Sequence, residues 1–135
     1  MKIVLDTNVV VSGLLQPLGP SGQIVRLVAA GELILCHDAR ILTEYGEVLR
    51  RERFRFDPDR VETLMQQIRA DGIPIAARPL SIRLPDPDDE PFLEVALESG
   101  ARYLVTGNLK HYPPPARCGI EVLAPRPFIE LYRTL

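Results

Sequence analysis

Residues 2–8 read KIVLDTN. Ile3, Val4 and Leu5 follow one another with no polar alternation, which is the pattern of a strand buried on both faces in a parallel sheet. The run stops at Asp6, where a parallel sheet gathers its chemistry: the carboxyl end of a strand. An ionised carboxylate there is costly to desolvate without a partner. Asp6 is therefore either the cap of the next segment or part of a site. Thr7 and Asn8 could cap equally well, and the position at the strand edge favours a site.

Outward from this strand the pattern recurs. Residues 33–36 (LILC), 103–106 (YLVT) and 120–123 (IEVL) read as further buried strands, and 73–77 (IPIAA) as a weak one. Helices are expected over 9–15, over 21–30 with Ser21 as N-cap and Gly31 as stop, and over 39–52 after a capping Asp38. Others are expected from Asp57-Pro58 to Asp71 before Gly72, over 89–99 before Gly100, and over 125–135. Short apolar strands alternating with helices imply an α/β fold, a central parallel sheet of four to five short strands flanked by helices. The length of 135 residues suits one domain over 1–135, and no repeat or interdomain linker divides it.

Composition removes several classes of protein. Hydrophobic residues make up 46% and charged residues 25%, which suits a globular chain and argues against disorder. No apolar run approaches the roughly 20 residues of a membrane helix. The apolar start meets an acid at Asp6, unlike a secretory signal. Cys36 and Cys118 are too far apart to signal a disulfide framework or a zinc site. A cytoplasmic protein without a membrane partner is the expectation. The net charge of −2 conceals patterning, since 14 of the 16 bases are Arg. Arg50, Arg51, Arg53 and Arg55 fall within six residues, while 86–98 holds six acids and no base. A negative pocket beside a positive rim is compatible with that balance, although either run alone reads equally well as a solvated helix face.

Three further places bring polar groups toward the edge marked by Asp6. Ile41, Leu42, Tyr45, Val48 and Leu49 share a helical stripe, with Glu44 on its rim and Glu47 turned further toward water. By spacing alone Glu44 reads more readily as a solvated boundary residue than as a cleft residue. Asp89 lies three residues before Phe92 and seven before Ala96, so it projects onto the buried face of its helix. Asp88 points to one edge, and Asp86, before Pro87, lies outside the helix. Asp88 and Asp89 could equally cap the helix and complement its dipole, which leaves Asp89 as the better inward-facing candidate. Thr106, Gly107 and Asn108 bring a hydroxyl and an amide to the end of another strand, or simply make a turn. His37 and His111, each a lone histidine, read first as structural or solvated. Carboxylates gathered at one edge repel one another unless a cation lies between them. An all-oxygen set favours Mg²⁺ or Mn²⁺ over zinc, and such an ion activates water and clamps a phosphodiester.

Taken together, VLDTNVVVSGLL, TEYGEVLRRERF and DPDDEPFLEVALESGARYLVTGN resemble the motifs of PIN domains in their family order. That family comprises small metal-dependent ribonucleases and includes toxins of the VapC type, and the wording is most similar to its toxin-component branch. The resemblance implies Asp6, Glu44 and Asp89 as catalytic metal ligands for one or two Mg²⁺ or Mn²⁺ ions. Thr7, Asn8, Asp86, Asp88 and Thr106 would support them. Asn108 stands where many members carry an Asp, so it adds no charge to a second ion's site. The resemblance further implies RNA hydrolysis, a cognate antitoxin and a homodimer. Arg50, Arg51, Arg53 and Arg55, with Lys110 and His111, are the candidates for gripping the RNA backbone. The near-zero net charge suits a short local grip better than an extended basic surface.

Other classes fit less well. A haloacid-dehalogenase-type phosphatase also begins with a strand ending in Asp, but it wants a second Asp where this chain has Asn8. A phosphoaspartate receiver domain wants further acids and a late Lys. A Rossmann domain wants a glycine-rich loop after its first strand. A PIN fold that binds RNA or a protein without cleaving is kept open by Asn108.

Overall fold

The computed structural model describes residues 1–135. Five strands form one sheet: β1 (Lys2–Leu5), β2 (Ile34–His37), β3 (Ile73–Pro74), β4 (Tyr103–Val105) and β5 (Glu121–Leu123). All pairings are parallel, in the order β3-β2-β1-β4-β5. Six helices flank the sheet: α1 (Thr7–Leu15), α2 (Pro20–Ala29), α3 (Ala39–Leu49), α4 (Pro58–Asp71), α5 (Glu90–Ser99) and α6 (Pro125–Tyr132). The expected α/β class and parallel sheet are therefore present. No helix is long and apolar enough to cross a membrane.

β1 is the central strand because Ile3, Val4 and Leu5 are all buried. It lies between β2 and β4, so the chain leaves it in both directions across the sheet. That reversal opens a crevice at the carboxyl ends of β1 and β4. α5 packs across β1, β2 and β4, while α3 and α4 pack on β2. Phe92, Leu93, Val95 and Ala96 of α5 join the continuous apolar core, as do Tyr45 of α3 and Phe128 of α6. The Tyr45 hydroxyl donates to the carbonyl of Leu5 at 2.6 Å, which ties α3 to the last turn of β1.

Several boundaries differ from expectation. α1 starts at Thr7 rather than near residue 9, directly after Asp6. α2 starts at Pro20, so Ser21 is a buried residue inside the helix and Gly19 takes the N-cap position. α3 ends at Leu49 rather than 52, and a 3₁₀ turn follows at Glu52–Phe54. There Phe54 stacks on Phe56 with centroids 5.5 Å apart, and Phe56 packs against the core. Straight continuation of the helix would forgo that packing. β3 keeps only two of the five expected residues, since Pro74 has no N–H for a ladder and sits on the edge strand. α6 stops at Tyr132, and its Phe128 and Ile129 are buried in the core.

The acidic run 86–98 is a solvated face only in part, at Asp88 and Glu98. Glu90 and Glu94 are buried. Glu90 accepts from the Leu84 N–H at 3.0 Å and pairs with Arg83 at 3.1 Å. Glu94 accepts from the Leu80 N–H at 2.8 Å and pairs with Arg40 at 2.7 Å. The two carboxylates fasten the proline-rich loop before α5, and with it the approach to Asp86 and Asp89.

Gly22 sets the approach of α2 to the turn after α1. A Cβ there would fall 2.1 Å from the Pro17 carbonyl oxygen. Gly22→Ala is expected to destabilise the protein by about 1–3 kcal/mol, as overpacking does, seen as a lower midpoint in thermal or denaturant unfolding.

Candidate active site

The crevice at the ends of β1 and β4 holds the first predicted residue. Asp6 is buried and takes the N-cap position of α1, yet its side chain caps nothing. Its Oδ2 instead accepts from the Thr106 hydroxyl at 2.9 Å and from the Tyr112 hydroxyl at 3.1 Å. These two donors supply the partners that an acid at a buried strand end requires. Burial pushes the Asp6 carboxyl above its ordinary range, and the hydrogen bonds from Thr106 and Tyr112 oppose the rise. Burial and the charge of Asp6 hold the Tyr112 phenol far above its usual range, so it remains a donor.

The neighbouring residues lock the two strand ends together. Asn8 Oδ1 accepts from the Gly107 N–H at 2.8 Å. Thr106 Oγ1 also accepts from the Asn108 N–H at 3.0 Å. Thr7 donates its hydroxyl to the Glu44 carboxylate, which joins α1 to α3. Glu44 is half-buried and faces the cleft. Burial raises its pKa, the Thr7 hydrogen bond lowers it, and the charges of Asp6 and Asp88 raise it further.

Asp89 approaches from the opposite wall. A 3₁₀ turn, Pro87–Asp89, precedes α5 and is held by Asp86, whose carboxylate accepts from the Asp88 N–H at 2.9 Å. The turn carries Asp89 inward, where it is 8% exposed and makes no capping bond. Burial, joined by the charge of Asp6, raises its carboxyl to about 6, against the pull of His111. His111 Nδ1 lies 2.8 Å from Asp89 Oδ2. The contact lacks hydrogen-bond alignment, so this buried oxygen has no donor.

One cleft of about 330 Å³ unites these groups. Asp6, Thr7, Asn8, Glu44, Asp86, Asp88, Asp89 and Asn108 line it, together with Val11, Val48, Arg51, Arg53, Phe54 and His111. Arg53 lies over the Phe54 ring, 4.8 Å from its centroid. Thr106 stays beneath the floor, fully buried behind Asp6. The arginine cluster divides. Arg51 and Arg53 reach the cleft, whereas Arg50 pairs with Glu62 at 2.9 Å and borders a separate depression with Gly46 and Arg69. Arg55, in a left-handed conformation, and Lys110 are exposed and do not line the cleft.

One contributor, Tyr112, was not legible in the sequence, and a second, His111, stands in a place the sequence did not indicate. Tyr112 carries no motif, and its role depends on the 3₁₀ turn Leu109–His111 folding back under β4. His111 was legible as a candidate for gripping RNA, but its approach to Asp89 spans 22 positions of sequence and was not. The donor set fits a divalent cation. Three carboxylates crowd one cleft, burial raises the pKa of each, repulsion from neighbouring acids adds to the rise at Glu44 and Asp89, and one oxygen of Asp89 has no aligned donor. Asp86, Asp89 and His111 present ligand atoms that all lie within 4.8 Å of one another.

Residues 2–110 match the family model of the PIN domain, and the chain belongs to that family. The family gives a nuclease-type fold whose members generally bind divalent metals. The match ends one residue before His111 and leaves β5 and α6 outside it. No curated protein matches the chain.

The raised carboxyls fix the sign of a pH effect. Folded Asp89 holds its proton more tightly than the unfolded chain does, so the metal-free fold loses stability as pH rises from about 4 through about 6. Thermal unfolding without divalent ions should show a falling midpoint over that window. Asp89→Asn should raise the metal-free midpoint at pH 7.5 by a few degrees, where about 1 kcal/mol corresponds to roughly 3–5 °C at this size. Added Mn²⁺ should stabilise the wild type above pH 6 and the variant much less.

Proposed function

We propose that this protein is a metal-dependent endoribonuclease that hydrolyses phosphodiester bonds of single-stranded RNA. The observation that carries this reading is the convergence of Asp6, Glu44 and Asp89, from three separate elements, on one cleft rimmed by Arg51 and Arg53. Asp6, Glu44 and Asp89 would hold one or two Mg²⁺ or Mn²⁺ ions. When bound, such an ion supplies Lewis-acid activation of water and neutralises charge on a phosphodiester in transit.

The protein's own groups do the rest. Thr106 and Tyr112 both donate to Oδ2 of Asp6, which fixes the rotation of that carboxylate. Thr7 does the same for Glu44. Arg51 and Arg53 supply guanidinium forks for nonbridging phosphate oxygens on the rim. Asn8 is committed to the Gly107 N–H, so it serves as a clamp between strand ends, and the phosphatase reading lacks its second acid. The toxin half of a toxin–antitoxin pair, acting in the cytoplasm and inhibited by a small antitoxin, is the setting we favour, with a homodimer as the working form.

Asn108 lines the cleft and supports a second reading, a binding module without cleavage. One experiment separates the two. Purified protein is incubated with structured and unstructured RNA, in Mn²⁺ or in chelator, beside Asp6→Asn, Glu44→Gln and Asp89→Asn. Cleavage of the unstructured RNA should vanish in chelator and fall at least about 100-fold in each variant, the scale expected when transition-state charge stabilisation is lost. Cleavage indifferent to chelator and to all three substitutions would overturn the proposal. RNA binding without cleavage in any metal would establish the binding module.

A second prediction concerns the divided arginine cluster. Arg51→Ala and Arg53→Ala should each weaken RNA binding several-fold and reduce its salt dependence, whereas Arg50→Ala should leave both within twofold. Fluorescence anisotropy at several salt concentrations measures all three.

A further inference from the structure

We infer that His111, together with Asp86 and Asp89, forms a mixed nitrogen–oxygen cation site in which the imidazole takes the part that Asn108 cannot. The inference rests on the metal-dependent reading of the cleft through the shared residue Asp89, and it adds two ligands and a selectivity to that reading.

Three observations meet at this point. The ligand atoms of Asp86, Asp89 and His111 all lie within 4.8 Å of one another, a span that one cation can bridge. Asp89 is more than nine-tenths buried, and its Oδ2 has no hydrogen-bond donor. His111 Nδ1 lies 2.8 Å from that oxygen without making an aligned hydrogen bond to it. A histidine recruited only to pair with the acid would align an N–H on that oxygen, because leaving a buried carboxylate oxygen unmade is expensive. In the tautomer that carries its proton on Nε2, the His111 imidazole turns a lone pair from Nδ1 toward the same point as the Asp89 oxygen, and a cation between them would be held by both.

Local structure explains why these residues meet. Asp86 accepts from the Asp88 N–H through one oxygen and so holds the turn that carries Asp89 inward. The 3₁₀ turn Leu109–His111 is closed by the His111 N–H on the Asn108 carbonyl at 3.0 Å, which brings the ring back over the cleft. Asn108 itself is exposed and adds no charge. An imidazole ligand changes the preference of the site. It suits Mn²⁺ and later first-row ions, whereas Mg²⁺ keeps to oxygen donors and its own waters. The protein should therefore bind Mn²⁺ more tightly than Mg²⁺, and the difference should depend on His111.

The test reads metal binding directly. Mn²⁺ is titrated into the protein and followed by electron paramagnetic resonance, with Mg²⁺ affinity measured by competition, for wild type, His111→Gln and Asp86→Asn. Electron spin-echo modulation of bound Mn²⁺ then reports whether a ¹⁴N nucleus is coordinated. Wild type should show the ¹⁴N coupling. His111→Gln should abolish it and weaken Mn²⁺ by about 10-fold or more, with Mg²⁺ within twofold, and Asp86→Asn should weaken Mn²⁺ while the ¹⁴N coupling persists at saturation. Unfolding midpoints check that both variants fold. Absence of ¹⁴N coupling in the wild type, or equal Mn²⁺ affinity in His111→Gln, would overturn the inference. Failure of RNA cleavage in a wild type that shows the coupling would defeat the nuclease reading alone and leave this site standing.

Discussion

A carboxylate at the end of a fully buried strand must be either protonated or answered, and Asp6 is answered from two directions. Thr106 reaches it across the β1–β4 pair, and Tyr112 reaches it from beneath the 3₁₀ turn after β4. Both bonds require β4 to lie beside β1 in the register that sets Leu5 against Val105. The Asp6 N–H continues that ladder onto the Val105 carbonyl at 2.9 Å. Pairing of the strands, burial of the acid and shape of the crevice are thus one constraint. A slip in register would leave Asp6 in the core without donors, at a cost of several kcal/mol.

The acids of the chain divide by how their charge is met. Glu90 and Glu94 are as buried as Asp6, but each has an arginine and a backbone N–H, and they fasten a loop. Asp38 and Asp57 cap helices. Asp6, Glu44 and Asp89 have hydroxyls, one another's fields and an unaligned histidine, with no arginine paired to any of them. This last group is electrostatically unfinished, and all three of its carboxyls are raised. Perturbed acids in a cleft mark functional sites because the same arrangement that destabilises the empty fold prepares it for a cation.

The arginines follow the same logic of position over composition. Four of them fall within six residues, yet the end of α3 and the 3₁₀ turn rotate them apart. Arg51 and Arg53 face the acids, while Arg50 turns back along α3 to Glu62. A net charge of −2 therefore does not preclude a locally positive rim beside the acids.

The sequence by itself determined the α/β class, the parallel sheet and the direction of Asp6 and Asp89 toward one edge, whereas Glu44 was singled out by its motif and not by its spacing. The former features follow from local periodicity: unbroken apolar strands, and a spacing of three and seven before Phe92 and Ala96. Capping was legible at Asp38 for the same reason. Only the tertiary structure decided that Asp6 caps nothing, that Glu90 and Glu94 are buried clasps, that Arg50 leaves the rim, that Tyr112 enters the site and that His111 meets Asp89. Each of these depends on a contact between residues far apart in sequence, and hydrophobic periodicity carries no information about which distant polar group will arrive to satisfy a buried one.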